Sequence, residues 1–270
     1  MISIVIRNKN EADALNTILG ILTDRYSGDY SEIIIVDNAS TDSSKMIAAK
    51  YGCKVVNIDD FSYGRATNLG IEKASSDFVL LLSAHAIPIG KSFFNRALGL
   101  FNNNKNLAGV RFINSVENYK RAIENDFKVL EPLKYGLMTA CSIVNKKVWL
   151  IHKFDEDLPF SEDKEWSDRV CKKGFEIKDL DETFFYFVKR DLKSSILRYK
   201  NETLSEYLLH ERKPPKYIRI VFSLIFKISI TNTISYFKTF RTDFLIFRAK
   251  NEIRKEIKRM EKIYERSTAK

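Results

Sequence analysis

Three cysteines, five prolines, ten glycines and three histidines are all that 270 residues contain of those types. Cys53, Cys141 and Cys171 stand far apart with no C-x-x-C spacing. That excludes a disulfide framework and a zinc module, and points to a reducing compartment. No G-x-G-x-x-G and no G-x-x-x-x-G-K-[ST] occurs, so the standard dinucleotide fingerprint and the P-loop are both missing. No uncharged run reaches the roughly 18–20 residues that span a bilayer. The best stretch, Tyr217 to Phe237, is interrupted by Arg219 and Lys227. The apolar opening, Met1 to Ile6, stops at Arg7, too early for a secretory leader. A cytoplasmic protein is expected, either free or peripheral on the inner face of the cell membrane.

What is present is a globular composition. Hydrophobic residues make up 44% and charged residues 30%, which excludes a disordered chain and a collagen-like repeat. The net charge of +10 is unevenly placed. Residues 212–270 hold 16 Lys and Arg against 5 Asp and Glu, a net of +11, whereas the preceding 211 residues carry a net of −1. Body and tail therefore face different partners. Pro214-Pro215 marks the shift, and we divide the chain into a domain over 1–211 and a basic helical tail over 212–270.

The first hundred residues alternate short apolar β-branched runs with helical spacing. Strands are expected at Ser3–Ile6, Glu32–Asp37, Lys54–Ile58 and Asp77–Ser83, with helices over Ala12–Leu22, Ser43–Tyr51 and Arg65–Ala74. Continuous rather than alternating apolar strands indicate a mostly parallel sheet covered on both faces, an α/β fold of Rossmann-like winding. Past residue 105 the pattern loosens; a strand over Ala108–Ile113 and a helix over Trp166–Lys172 ending at Gly174 are expected.

Ligands of such sheets bind beyond the carboxyl ends of the strands. That rule selects Arg7-Asn8-Lys9-Asn10-Glu11, Asp37-Asn38-Ala39-Ser40-Thr41-Asp42 and Ser83-Ala84-His85. A carboxylate such as Asp37 at a strand end accepts hydrogen bonds from a nucleobase or a ribose, or else caps the next helix; Asp42 reads as the cap. Arg65 and Asn68 start a helix after Gly64, where a guanidinium either pairs with a diphosphate or lies solvated on the helix face. Ser161, Glu162 and Asp163 suit the first turn of a helix, and a carboxylate there can also serve as a base.

Four segments together resemble the inverting family 2 glycosyltransferases of the GT-A fold. They are Ser3 to Glu11, Ile35 to Asp42, Phe61 to Gly70, and Phe154 to Asp163 with its Glu-Asp pair; the resemblance covers about residues 1–210. It implies transfer of a sugar from a nucleotide-sugar donor to a glycan or lipid-linked glycan in surface polysaccharide or lipopolysaccharide assembly. A UDP-sugar is favoured, with dTDP-rhamnose the other donor. The resemblance further implies a nucleotide site at Arg7, Glu11, Asp37, Arg65 and Asn68, Asp163 as the catalytic base, and Glu162 beside it. Where most relatives carry Asp-x-Asp for Mg²⁺ or Mn²⁺, this chain has Ser83-Ala84-His85. His85 then either holds the metal or donates a hydrogen bond to phosphate without one. Relatives also carry a downstream histidine; here Lys189 and Arg190 stand in that stretch. The rival reading is a non-catalytic GT-A protein that binds a nucleotide-sugar or glycan or scaffolds a partner, supported by the lost Asp-x-Asp. A nucleotidyltransferase lacks its Gly-rich triphosphate loop here.

In the tail, Phe237, Phe240, Phe244 and Phe247, then Ile253, Ile257, Met260 and Tyr264, make an apolar stripe opposite a basic face. The candidate occupants of that stripe are an anionic membrane surface, the body of the protein, or a second copy in a homodimer. No nucleic-acid motif accompanies the charge.

Overall fold

A computed structural model describes residues 1–188 and 191–268, with side chains described through Ile257 and at Arg259. Lys189 and Arg190, and the side chains of Met260 and Tyr264, lie outside the described residues. The chain divides into two units, Met1–Arg212 and Lys213–Lys270.

The first unit opens with β1 (Ile2–Asn8), α1 (Ala12–Tyr26), β2 (Tyr30–Asp37), α2 (Ser44–Lys50), β3 (Lys54–Asn57), α3 (Tyr63–Lys73) and β4 (Phe78–Ser83). It continues with β5 (Ala86–Ile89), α4 (Phe93–Asn103), β6 (Leu107–Ile113), α5 (Val116–Glu124), the single turn α6 (Pro132–Tyr135), β7 (Cys141–Asn145) and α7 (Lys146–Ile151). The last three are α8 (Glu162–Lys172), β8 (Glu176–Tyr186) and α9 (Leu192–Leu209). One sheet runs β3-β2-β1-β4-β7-β6-β8-β5. Its first four strands are parallel, as their apolar runs imply. Beyond β4 the sheet is mixed: β7 is antiparallel to β4 and β6, and β5 to β8, while β6 and β8 are parallel.

Continuous apolar strands arise because both faces are buried. Side chains alternate along a strand. Ile2, Ile4 and Ile6 of β1 join Ile33, Ile35, Leu80 and Leu82 in one cluster, roofed by Leu15, Ile18, Leu19 and Leu22 of α1. Val5 joins Ile34, Val36, Val79 and Leu81 in a second cluster on the opposite face, with Trp149, Phe154 and Trp166. Gly174 has φ +89° just past α8, the left-handed C-terminal stop expected there. The first strand-and-helix units lie within a residue or two of the sequence reading, except that α1 runs four residues further, to Tyr26. The later part was only partly legible, and β5, α4, α5, α6, β7, α7, β8 and α9 were not foreseen.

From Tyr217 to Thr268 the second unit is helical: α10 (Tyr217–Phe226), a five-residue π-helical turn (Lys227–Thr231) and α11 (Asn232–Thr268). Residues Tyr217–Ile257 are long and apolar enough to cross a membrane by length and composition. The sequence singles out the opening of this stretch, Tyr217 to Phe237, with Arg219 and Lys227 inside it.

Candidate active site

The strand tips of the parallel half present two loops stitched to each other. Asn8 Nδ2 donates to Asp37 Oδ1 and to Ser40 Oγ, both at 3.1 Å. The Thr41 N–H donates to Asn10 Oδ1 at 2.7 Å. Asp42 accepts from two helix starts, the Ser44 N–H of α2 at 3.0 Å and the Ala12 N–H of α1 at 2.9 Å. Its carboxylate thus satisfies a free N–H at each helix start, although the N-cap positions themselves are Ser43 for α2 and Glu11 for α1, one residue off the sequence reading. Asn10 and Ala39 hold positive φ in these loops, at 53° and 50°. Few non-glycine residues adopt that conformation without support from their surroundings.

A cleft of about 930 Å³ opens over these tips, within the range of small-molecule sites. Arg7, Glu11, Ser83, His85, Glu162 and Asp163 all line it. The structure therefore brings six of the nominated residues to one surface. Arg7 joins β1 to α8. Its Nη1 lies 3.0 Å from Glu162 Oε1, 3.0 Å from Thr67 Oγ1 and 3.2 Å from the Tyr63 carbonyl. Nη2 donates to Thr139 Oγ1 at 3.0 Å, and the guanidinium lies over the Tyr63 ring.

Thr139 links the two acids. Its backbone N–H donates to Asp163 Oδ2 at 2.9 Å, and its hydroxyl lies 3.3 Å from the same oxygen and 3.4 Å from Glu162 Oε1. Asp163 Oδ1 accepts no hydrogen bond from a described residue, although the side chain lines the cleft. Burial, and then the neighbouring Asp163 carboxylate, push the Glu162 carboxyl above its ordinary range against the pull of Arg7. Ser161, immediately before α8, sits in the left-handed region at φ 63°. Thr139 had no signal in the sequence beyond its polarity. Its place two residues before β7, beside the start of α8, appears only once the sheet is assembled.

Three nominated residues do not reach the cleft, and each has a physical reason. Asp37 is 1% exposed and both its oxygens are engaged, Oδ2 by the Ser40 N–H at 3.0 Å. Burial opposes its charge, but hydrogen bonds from Ser40 and Asn8, with Lys45 nearby, hold its carboxyl below the usual range. The next residue, Asn38, lines the cleft instead. Strand alternation carries the signal: successive side chains point to opposite sides.

Arg65 is paired with Glu156 (Nε to Oε2, 3.2 Å) and with Asp60. Asn68 is buried as a bracket. Its Oδ1 accepts from Trp149 Nε1 at 2.9 Å and from the Phe154 N–H at 3.0 Å. Its Nδ2 donates to the Phe154 carbonyl and to Glu156, both at 2.9 Å. Gly64 explains the closeness: a Cβ there would lie 2.0 Å from the Asp155 carbonyl oxygen. The Gly64–Asn68 motif thus anchors the segment leading to the acids.

His85 Nε2 lies 3.3 Å from Glu11 Oε1, and the imidazole meets Phe187 edge-on. No group of three or more His, Cys, Asp or Glu able to hold a metal occurs among the described residues. Glu11 and His85 supply two donors. A divalent ion here would take its other ligands from phosphate or water. The far wall comes from α9, with Arg198, Tyr199 and Glu202, and from Phe160. Arg198 lies over the Phe160 ring, and Phe160 packs edge-on against Tyr63.

Similarity to known proteins converges on one family. An 83-residue stretch is 37% identical to the O-antigen chain rhamnosyltransferase WbaN of Salmonella anatum; it is 30% of this chain and 26% of that protein, so the chain spans about a quarter of the curated relative it matches. A mannosyltransferase from Pyrobaculum calidifontis, solved with GDP-Man and Mn²⁺, superposes with a TM-score of 0.62 at 16% identity over 79% of this chain and 65% of its own. Glucosyl-3-phosphoglycerate synthase from Mycobacterium tuberculosis, solved with Mn²⁺, UDP and glucosyl-3-phosphoglycerate, gives 0.58 at 16% identity over 80% and 81%. These two share the GT-A fold. Residues 3–158, more than half of the sequence, match Glycosyl transferase family 2, and the chain belongs to that family.

Proposed function

We propose that the protein is an inverting glycosyltransferase with Asp163 as its base. The carrying observation is the asymmetry of that carboxylate: Thr139 fixes one oxygen while the other takes no hydrogen bond from a described residue. An acceptor hydroxyl gives its proton to Asp163 as its oxygen attacks the anomeric carbon. The bond from that carbon to the diphosphate breaks, and the nucleoside diphosphate leaves on the opposite face. Glu162, held by Arg7 and Thr139, keeps the base's neighbourhood in place. Lys9, Glu11 and Asn38 form the donor end of the cleft, with Arg7, Ser83 and His85 beside it.

A divalent cation bound by Glu11 and His85 would neutralise charge on the leaving diphosphate. With two such donors among the described residues, we read the enzyme as weakly dependent on metal or independent of it, with His85 donating to phosphate. Transfer should persist in excess EDTA; complete loss, restored by Mn²⁺, would reverse that reading.

The donor is a UDP-sugar or dTDP-rhamnose, and similarity to a rhamnosyltransferase supports the second. The acceptor is a glycan or lipid-linked glycan of surface polysaccharide or lipopolysaccharide assembly. Residues 1–211 form the transferase domain. Residues 212–270 meet an anionic membrane surface on the inner face of the cell membrane, a homodimer contact being the other use of that helix.

The substitution Asp163→Asn tests the proposal. Turnover should fall about 10²–10⁴-fold, while a thermal-shift screen of UDP, GDP, dTDP and CMP keeps the parent's nucleotide preference. Unchanged turnover would remove Asp163 from the chemistry. The replacement of Asp-x-Asp by Ser83-Ala84-His85 favours the rival reading, a non-catalytic nucleotide-sugar binder. That reading gains if the parent binds nucleotide and transfers to no acceptor.

A further inference from the structure

We infer that residues 220–237 insert in the plane of an anionic lipid leaflet, rather than crossing it or adsorbing by charge alone. The inference rests on the membrane reading above and deepens it. Phe222, Leu224, Ile225 and Phe226 fall within five helical residues, and at 3.6 residues per turn they spread over about 200° of the helix, with Ser223 in the remaining gap. All four are more than half exposed. An apolar arc that wide needs more cover than the stripe one protein face provides. Lipid meets that demand.

Charge and length fix the orientation. From residue 212 to 242 there are seven Lys and Arg and no Asp or Glu, which suits an anionic headgroup layer. Within 220–237 the only charged residue is Lys227. It belongs to a row repeated every four residues, Ser223, Lys227, Thr231 and Ser235, continued by Lys238. The row gives the segment a polar edge that can stay at the headgroups, with the Lys227 ammonium reaching out along its stem, while Ser229, Asn232 and Thr233 fall elsewhere on the helix. Eighteen residues at 1.5 Å each measure about 27 Å, nearly the hydrocarbon thickness, so length alone permits a span. A span would nevertheless carry 11 Lys and Arg of residues 238–270 across the membrane, away from the cations at 212–219. Cations on both flanks oppose that arrangement. Lying in the plane keeps every cation at one surface.

Flotation of the full chain with preformed vesicles tests this, comparing phosphatidylcholine alone with a phosphatidylcholine–phosphatidylglycerol mixture. The chain should float with the anionic vesicles and stay bound in 1 M NaCl. The double substitution Phe222→Asp, Phe226→Asp should abolish flotation at high salt without changing the melting of the first unit. In a Phe226→Trp variant, lipids brominated near the headgroup should quench the added fluorescence more than lipids brominated near the chain end. Release by salt, or no effect of the double substitution, would refute insertion and leave surface adsorption. Stronger quenching from the chain end would refute the in-plane orientation in favour of a span. Failure to float at low salt, with the chain eluting as a dimer, would overturn both the membrane reading and the inference.

Discussion

Replacing Asn68 with Ala deletes four hydrogen bonds around a buried amide and strands the Trp149 indole N–H and the Phe154 backbone N–H. Each buried donor left without a partner costs about 1–3 kcal/mol, so a loss of about 2–5 kcal/mol is expected in urea unfolding. Nucleotide binding should change only as far as the fold does, which separates a bracket from a ligand. Asp37 predicts a pH effect. Its carboxyl titrates below the ordinary range when folded, so its stabilisation is complete above the unfolded value and is lost as pH falls through the folded one. Asp37→Asn should flatten the acid limb of a stability–pH profile and lower stability at neutral pH. Glu162 has the opposite sign. Its folded value is raised, so its contribution turns unfavourable as pH climbs from the unfolded carboxylate range through the folded value.

At the scale of elements, the site depends on where helices start. α3 begins against the loop that leads to α8, and Gly64 leaves no room for a side chain at that junction. Gly64→Ala should destabilise by about 1–3 kcal/mol through overpacking and lower turnover, because it pushes apart the segments that place Tyr63 and the two acids. Calorimetry read together with turnover checks both halves. The strands and helices to residue 83 were legible because each carries its own period and ends in a turn or a cap. Arg7, Glu11, His85, Glu162 and Asp163 were legible as cleft residues because strand tips and an acidic helix start are local signals. Arg65 and Asn68 lie outside the cleft lining for a physical reason: polarity at a helix start does not reveal whether the partner is a ligand or a neighbouring loop. Thr139 and the α9 wall are positioned by tertiary pairing, which leaves no mark in local spacing.

Across the whole molecule, the two hydrophobic clusters draw on residues 2–184 of the first unit. Truncation after Arg212 should therefore leave the melting temperature of the first unit within about 2 °C of the parent's, as expected when little buried surface is removed. A larger drop would mean that the tail shares in the core.

The cleft is assembled from strand tip, helix start, strand edge and a late helix, contributed by positions as distant as Arg7, Tyr63, Thr139, Glu162 and Arg198. Such contacts close long stretches of chain and are slow to form. During refolding, helical circular dichroism from the locally encoded elements should recover before turnover does, and the catalytic assay would serve as the clock for the last consolidation of the chain.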